Sequence, residues 1–383
     1  MPELMQGLRK DISYVYAGVE RDLLDQIRSG LLKGGECILS ENEISRKYNI
    51  SRRSARKAID NLIAQNLLYR VPGKGTFVSE NVGSDGTAEP SVSISYIVPD
   101  IDDLFIAEIC RGLQEEANRN RCNLLIQSSN GSIDQENHNI KYLVNHHVDG
   151  AVIFPNWGRA NVDALFRLKE MNVPFVLVDR YYPDFDTDYV VVDNYGGAHD
   201  AVIHLIKLGH RRIAHLYGTS GSANDARLQG YLDALGESQI VYNPTYVRKM
   251  NTNIVRKNGD RFEPDMEGGY ANMNALLALP EPPTAVFAGN DYQAIGAMRA
   301  IKEAGKRVPE DIAVIGFDDL KFSSLIEVPL TTVRQPKYEI GRMALQILLQ
   351  KIQNRDNSDS WKNPSHEVLK TELVIRKSCG NID

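Results

Sequence analysis

The 383-residue chain contains no apolar run approaching the roughly 20 residues that a membrane-spanning helix needs. No apolar core follows Met1 to Lys10 of the kind a secretion signal carries. A cytoplasmic protein with no membrane partner is therefore expected. Cysteine is scarce: Cys37, Cys110, Cys122 and Cys379 are too few and too scattered for a disulfide scaffold, and they lack the close pairing that zinc sites use. The eight histidines form no ligand-spaced cluster, and His146 and His147, adjacent on a helical stretch, point apart and read as surface positions. No metal and no cofactor is expected. Catalytic signatures are missing as well. There is no nucleophile elbow and no G-x-G-x-x-G after the first strand of the α/β region, and the glycines and serines of GTSGSAND (218–225) have no identifiable paired base. No catalytic residue is assigned, and an enzyme is set aside.

A surplus of basic charge is also lacking: the formal charge is -6. Its distribution matters more than its sum. Residues 1–80 hold 13 Lys and Arg against 10 Asp and Glu, and Arg46, Lys47, Arg52, Arg53, Arg56 and Lys57 lie between 46 and 57 with no acid among them. A basic patch on an otherwise acidic protein is the footprint of a phosphate-contacting surface.

At this length two or three packed units are expected. SENVGSDGTAEP (79–90) has Val82 as its one large aliphatic residue and reads as a linker. Beyond it, short apolar strands at 91–99, 122–129, 149–155, 173–179, 211–218, 283–289 and 311–317 alternate with helical patterns. Such strands form parallel sheets covered on both faces, and their number over nearly 290 residues implies two sheets. Ligands bind such folds at the carboxyl ends of the strands.

Before the linker, Val15, Val19, Leu23, Leu24 and Ile27 recur at helical spacing up to Gly30. Ser40 and Glu43 form a capping box for a second helix carrying Ile44 and Tyr48. Asn49-Ile50 makes a tight turn, and Ser51 caps a third helix with Ala55, Ile59, Leu62 and Ile63 inward. Arg52, Arg53, Ser54, Arg56 and Lys57 are left on its outer, N-terminal part, where a helix seated in the major groove can pair arginine with guanine. LLYRVPGKGTFVS (67–79) follows as two short strands with Lys74 at the tip. That tip has neither the spacing nor the following Ser/Thr helix of a P-loop.

ILSENEISRKYNISRRSARKAIDNLIAQNLLYR and GKGTFV resemble the GntR family of bacterial winged helix-turn-helix regulators over about 14–79. Ile38-Leu39-Ser40-Glu41 stands where Leu-Pro-Ser-Glu is usual, and Ser54-Ala55-Arg56 where Thr-Val-Arg is common. The resemblance implies a DNA-contacting set of Ser40, Glu41, Ser51, Arg52, Arg53, Ser54, Arg56 and Lys74, with Arg52, Ser54 and Arg56 reading or clamping DNA and Ser40 and Lys74 on the backbone.

In the second region the informative residues sit where strands end: Phe105, Trp157, Asp179, Arg180, Asn290, Asp291 and Asp318, with Arg227 after the 218–225 loop. Aromatic faces beside carboxylate, amide and guanidinium groups suit a sugar, which offers apolar C–H faces and a ring of hydroxyls. Phe105 and Trp157 are equally readable as packing groups, and Asp193-Asn194 as a helix cap.

VDGAVIF, PFVLVDR, VVVDNYGGA, KLGHRRIAHLYG, RLQGY, the stretch from PTAVFAGNDYQAIG to VIGFDD, and PLTTVRQP resemble the LacI-family effector domain and, through it, periplasmic sugar-binding proteins. The resemblance implies an α+β winged helix-turn-helix domain (1–78) joined to a bilobed α/β effector domain with two parallel sheets (91–383). The first lobe is expected at about 91–185 and 292–327 and the second at about 189–289 and 331–383, with crossovers after Asp179, near Asn290 to Asp291 and near Thr331. Phe105 would wall the ligand, Arg227 and Asp318 bind polar groups, and Asn290 bind a hydroxyl. Such hybrids are similar to arabinose-repressor-type GntR regulators. The implied protein is a homodimer on double-stranded operator DNA, a repressor released by a monosaccharide or short oligosaccharide. A non-sugar effector such as a nucleoside, or a ligand-activated DNA binder, is the alternative.

Overall fold

A computed structural model describes residues 18–27, 29–79, 92–146, 148–158, 161–250, 262–354 and 363–380. Val15, His147 and the expected linker from residue 80 onward lie outside them. The chain divides into two compact units, Met1–Val92 and Ser93–Asp383.

Among its described residues the first unit packs three helices against a hairpin. Helix α1 (18–27) buries Val19, Leu23, Leu24 and Ile27, one face at helical spacing. Helix α2 (Glu41–Lys47) opens on the expected capping box: the Ser40 backbone N–H donates to Glu43 Oε2 at 2.8 Å, and the Glu43 N–H to Ser40 Oγ at 3.4 Å. Asn49, at φ +50°, turns the chain into α3 (Arg52–Ala64), where Ser51 Oγ accepts from the Ser54 N–H at 3.1 Å. Strands β1 (Leu68–Val71) and β2 (Gly75–Val78) pair antiparallel around Pro72-Gly73-Lys74, and Gly73 sits at φ +75°, a conformation that glycine adopts without Cβ strain. Leu68 and Val78 of the hairpin close the core built by Ile44, Ala55, Ala58, Ile59 and Leu62.

The second unit has two six-stranded sheets. The first runs, in spatial order, β13 (His366–Leu369), β7 (Tyr189–Val192), β6 (Phe175–Val178), β5 (Gly150–Ile153), β3 (Ser93–Val98) and β4 (Asn123–Ser128), all parallel. The second runs β14 (Glu372–Val374), β12 (Thr331–Arg334), β11 (Ala313–Asp318), β10 (Ala285–Ala288), β8 (Ile213–Tyr217) and β9 (Val247–Lys249), with only the β12–β14 pair antiparallel. β5, β6 and β10 are buried along their whole length, which is why they read as unbroken apolar runs, and β8 is equally buried although it carries His215. The helices are α4 (Leu104–Arg119), α5 (Ile133–Asn145), α6 (Val162–Glu170), α7 (Asn194–Lys207), α8 (Ser222–Glu237), α9 (Phe262–Leu277), α10 (Asp291–Glu303) and α11 (Lys337–Gln353). Among the described residues no helix is long and apolar enough to cross a membrane.

Sheet membership redraws the expected lobes. The segment 292–327 belongs to the second lobe: Ala294, Ala297, Ala300 and Ile301 of α10 share a core with Ala214, Val286 and Val314 of β8, β10 and β11. Helix α11 belongs to the first lobe, packing on α4, β5, β6 and β7. Two glycines set that crossing. A Cβ on Gly112 would lie 2.0 Å from the Tyr338 carbonyl oxygen, and one on Gly341 2.0 Å from that of Ile109. The chain therefore crosses between sheets after β7 near Asp193, between β12 and α11 at Gln335-Pro336, and between β13 and β14 at Lys370-Thr371. The expected crossings at Asp179 and Asn290 are strand-to-strand and strand-to-helix turns within one lobe.

Candidate functional site

Helix α3 presents Arg52, Arg53, Arg56 and Lys57 outward because Ser54, Ala55, Ala58, Ile59 and Leu62 occupy its buried stripe. Ser54 is thus corrected from an outward-facing residue to an inner one, its hydroxyl 2.9 Å from Ser51 Oγ. Glu41 also has another place than expected. Its carboxylate accepts from Arg56 Nε at 2.9 Å and Nη2 at 3.0 Å, from Arg52 Nε at 3.2 Å and from Arg70 Nη2 at 3.3 Å. The Arg56 guanidinium, with Arg52 beside it, holds the Glu41 carboxyl below the usual carboxylate range. One acid on α2 so gathers arginines from α3 and β1 into a single array, and it would be repelled by a phosphate. Ser40 and Lys74 are exposed, Lys74 at the hairpin tip.

In the second unit, loops at the carboxyl ends of strands from both lobes meet around one cleft. It is lined by Phe105, Trp157, Asp179, Arg180, Arg227, Asn290 and Asp318, seven of the eight residues expected there. From the first lobe, Phe105 meets Phe154 edge-on with centroids 6.2 Å apart. Arg180 Nε donates to Asp179 Oδ2 at 3.1 Å while its guanidinium lies over the Trp157 ring. From the second lobe, buried Arg227 donates from Nε to Asn194 Oδ1 at 2.8 Å and from Nη1 to the Gly289 carbonyl at 2.5 Å, and its guanidinium lies 3.7 Å from the Phe317 ring centroid. These fixed bonds use part of the fork and hold its plane. Asn290 caps α10 by accepting from the Gln293 N–H at 2.8 Å and donates to Asp265 Oδ2 at 2.8 Å. Asp193 caps α7, accepting from the Gly196 N–H at 2.7 Å.

Asp318 ends β11 at φ +120°, and its Oδ1 accepts from Gln335 Nε2 at 2.7 Å. Burial drives its carboxyl well above the usual range, against the pull of the Arg227 charge. Burial likewise lowers Arg227. Asp291 is the exception among the expected residues. It is fully buried beneath the cleft and accepts from Ser323 Oγ at 2.6 Å, Thr332 Oγ1 at 2.5 Å and the Leu320 N–H at 2.8 Å, so it braces the second lobe and does not line the cleft. Burial pushes its carboxyl up to about 6.

Phe154, Asn224, Met250 and Asp265 also line the cleft without having been singled out. Phe154 and Asn224 stand in stretches the sequence did mark, at a strand end and in the 218–225 loop. Asp265 carries no such signal, because it lies within a helix. Among the described residues no cluster of His, Cys, Asp and Glu could hold a metal ion.

Residues 15–78 match the model for bacterial regulatory proteins of the gntR family, and residues 202–379 that for a periplasmic binding protein-like domain. The chain is 29% identical over 370 residues to the arabinose metabolism transcriptional repressor of Geobacillus stearothermophilus, an alignment covering 96% of this chain and 98% of that one. It is 30% identical over 352 residues to the transcriptional repressor CytR of Escherichia coli K12, covering 90% and 98%. A LacI-family transcriptional regulator from Enterococcus faecium, solved with bound ribose, superposes with a TM-score of 0.63 at 28% identity, over 76% of this chain and all of that one. The gntR family and the matched repressors are non-catalytic transcription regulators. The chain is a sequence-specific DNA-binding transcriptional regulator, belonging to the hybrids that join a GntR-family winged helix-turn-helix to a LacI-type, periplasmic-binding-protein-like effector domain.

Proposed function

We propose that this protein represses carbohydrate-utilisation genes and leaves its operator when a small sugar closes the cleft. The observation that carries this reading is the make-up of the cleft: the aromatic faces of Phe105 and Trp157 stand among Arg180, Arg227, Asp179, Asp318 and Asn290. A pyranose or furanose offers C–H faces to the first group and hydroxyls to the second. A pentose is favoured, since one relative is named for arabinose metabolism and a solved relative holds ribose.

Arg52, Arg53 and Arg56 are assigned to base edges and adjoining phosphates in the major groove, and Ser40, Ser51 and Lys74 to the backbone. Glu41 aims the arginines. Two copies of the chain bind a palindrome, because one small winged domain buries too little DNA surface for high specificity. The protein acts in the cytoplasm, where its operator is. Ligand shifts the population toward closed lobes, and the half-site spacing of the paired readers is lost. The shift is limited to the ligand's differential affinity for the two states.

Thermal unfolding of the full chain against pentoses, hexoses, their phosphates and short oligosaccharides tests the reading. A saturable rise in Tm with one sugar is expected, followed by weaker operator binding in its presence. Equal operator affinity with and without the saturating sugar would overturn the release mechanism. Absence of any shift across the panel would overturn the sugar assignment.

A further inference from the structure

The crossover from β12 into α11 delivers a buried ammonium to the end of β11. Lys337, the first residue of α11, is 9% exposed, and its Nζ donates to the Asp318 carbonyl and, at 3.2 Å, to the Asp319 carbonyl. Those carbonyls belong to consecutive residues with φ of +120° and +50°, left-handed backbone that side-chain-bearing residues adopt only where the surroundings impose it. The same crossover grips Asp318 a second time through Gln335 on its carboxylate. Asp318, Asp291, Asp319 and Glu108 all act on the Lys337 charge, from the second lobe and from α4. On its other side the ammonium stands 5.9 Å from the ring centroid of Phe105 in the first lobe. Lys337 therefore joins the backbone that carries a cleft carboxyl in one lobe to a cleft aromatic of the other.

What lies behind Lys337 is stiff. Helix α11 meets α4 at the paired Gly112 and Gly341, with no room even for a methyl group. A displacement of the first turn of α11 is passed to α4, which carries Phe105 and Glu108. The ion pair of exposed Lys321 Nζ with partly buried Glu108 Oε1, at 2.7 Å, spans the same two lobes further out. It is screened by solvent and contributes little.

We propose that Lys337 is a positioning residue of the ligand cleft: held by the carbonyls of Asp318 and Asp319, it sets the aim of the Asp318 carboxyl and carries a shift of that turn through α11 into α4. This rests on the assignment of the cleft as the effector site. It makes the hinge-side lysine the element by which occupancy of Asp318 is communicated to the first lobe.

Hydrogen–deuterium exchange of the full chain, for wild type, Lys337→Met and Lys337→Arg, tests this with L-arabinose and D-ribose as probes. The amides to follow are those of Asp319 and Leu320, which donate to Thr332 Oγ1 and Asp291 Oδ2. Without sugar, Lys337→Met is expected to speed their exchange at least about tenfold and to leave β8 and β10 unchanged, and Lys337→Arg, which keeps a cation, to stay within about threefold of wild type. Unchanged exchange at Asp319 and Leu320 in Lys337→Met would overturn the proposal, as would equal acceleration throughout both lobes, the mark of a merely structural residue. If a probe protects the cleft of the wild type, protection must extend into α4 and be lost there in Lys337→Met; protection of α4 that survives the substitution would also overturn it. Failure of both pentoses to protect the wild-type cleft counts against a pentose effector, while the sugar-free comparison still decides the role of Lys337.

Discussion

The Arg180 guanidinium lies over the indole of Trp157, 3.3 Å from its ring centroid, with Phe154 on its flank at 4.7 Å. Asp179 supplies the matching carboxylate at 3.1 Å. Arg180 and Trp157 thus form one wall, in which the arginine covers one face of the indole. Trp157→Ala is expected to raise the dissociation constant of the effector roughly tenfold or more, from the loss of the indole from the cleft wall and of the arginine's support. Titration by calorimetry checks it, and an unchanged constant would remove Trp157 from the site. The chain has two tryptophans, so a Trp361→Phe background leaves Trp157 as the single fluorescent reporter of sugar binding.

The exposed arginines of α3 give a second prediction. Arg52→Ala and Arg56→Ala should each weaken operator binding roughly ten- to hundredfold while effector binding persists. Glu41→Gln should narrow the ratio between operator and scrambled duplex, since it releases the arginines and removes a negative charge from the surface. Lys74→Ala should instead weaken both duplexes alike and lower the slope of log affinity against log salt by about one. Fluorescence anisotropy across a salt series separates these outcomes.

His215 supplies a pH dependence of stability. It is fully buried between Phe287 and Tyr231, its Nδ1 3.0 Å from the Phe287 carbonyl, and burial pushes it down to about 4. Between pH 4 and the unfolded value near 6.5 the unfolded chain binds a proton that the folded chain refuses. The histidine's contribution therefore favours folding increasingly as pH rises through that window, by up to about 3 kcal/mol. Asp291 acts oppositely. Its carboxyl, raised from 3.8 to about 6, keeps in the fold a proton that the unfolded chain gives up, so its contribution to stability falls as pH rises from near 3.8 to about 6. The difference in unfolding free energy between wild type and His215→Phe isolates the histidine, because Asp291 is common to both. That difference should shift toward the wild type from pH 4 to 6.5, and a flat difference would show that His215 is protonated in the fold.

Gly341→Ala tests the α4–α11 crossing. With the added Cβ 2.0 Å from a backbone oxygen, the helices must part, at a cost of roughly 3 kcal/mol. A fall in the urea midpoint is expected, with DNA affinity intact at low denaturant.

Much of this was legible because single elements carry their own evidence. The capping box at Ser40 and Glu43, the cap at Ser51 and the inward stripe Ala55-Ile59-Leu62 follow from local chemistry. The fully apolar strands such as Phe175–Val178 announce a parallel sheet. Lobe membership was not legible, since YVVV (189–192) and TTVR (331–334) are too short to show which sheet they join, and α10 and α11 are equally apolar on their inner faces. Whether a polar residue near a strand end faces the ligand or a buried donor is also a tertiary matter. Asp318 reaches the cleft while Asp291 turns beneath it toward Ser323 and Thr332. Ser54 was misread because its hydroxyl suits DNA as well as it suits Ser51.

The last chain crossing, Lys370-Thr371, bears on biosynthesis. It places β13 at the edge of one sheet and β14 at the edge of the other, and α11, which covers β5 to β7, is made only shortly before them. As translation proceeds, the residues that form the DNA reader's own core are complete by Val78, whereas both lobes wait for the final stretch of chain. Domains generally fold as they emerge, from the N-terminus onward. A nascent or prematurely terminated chain would hold a finished winged helix-turn-helix core and two unfinished lobes.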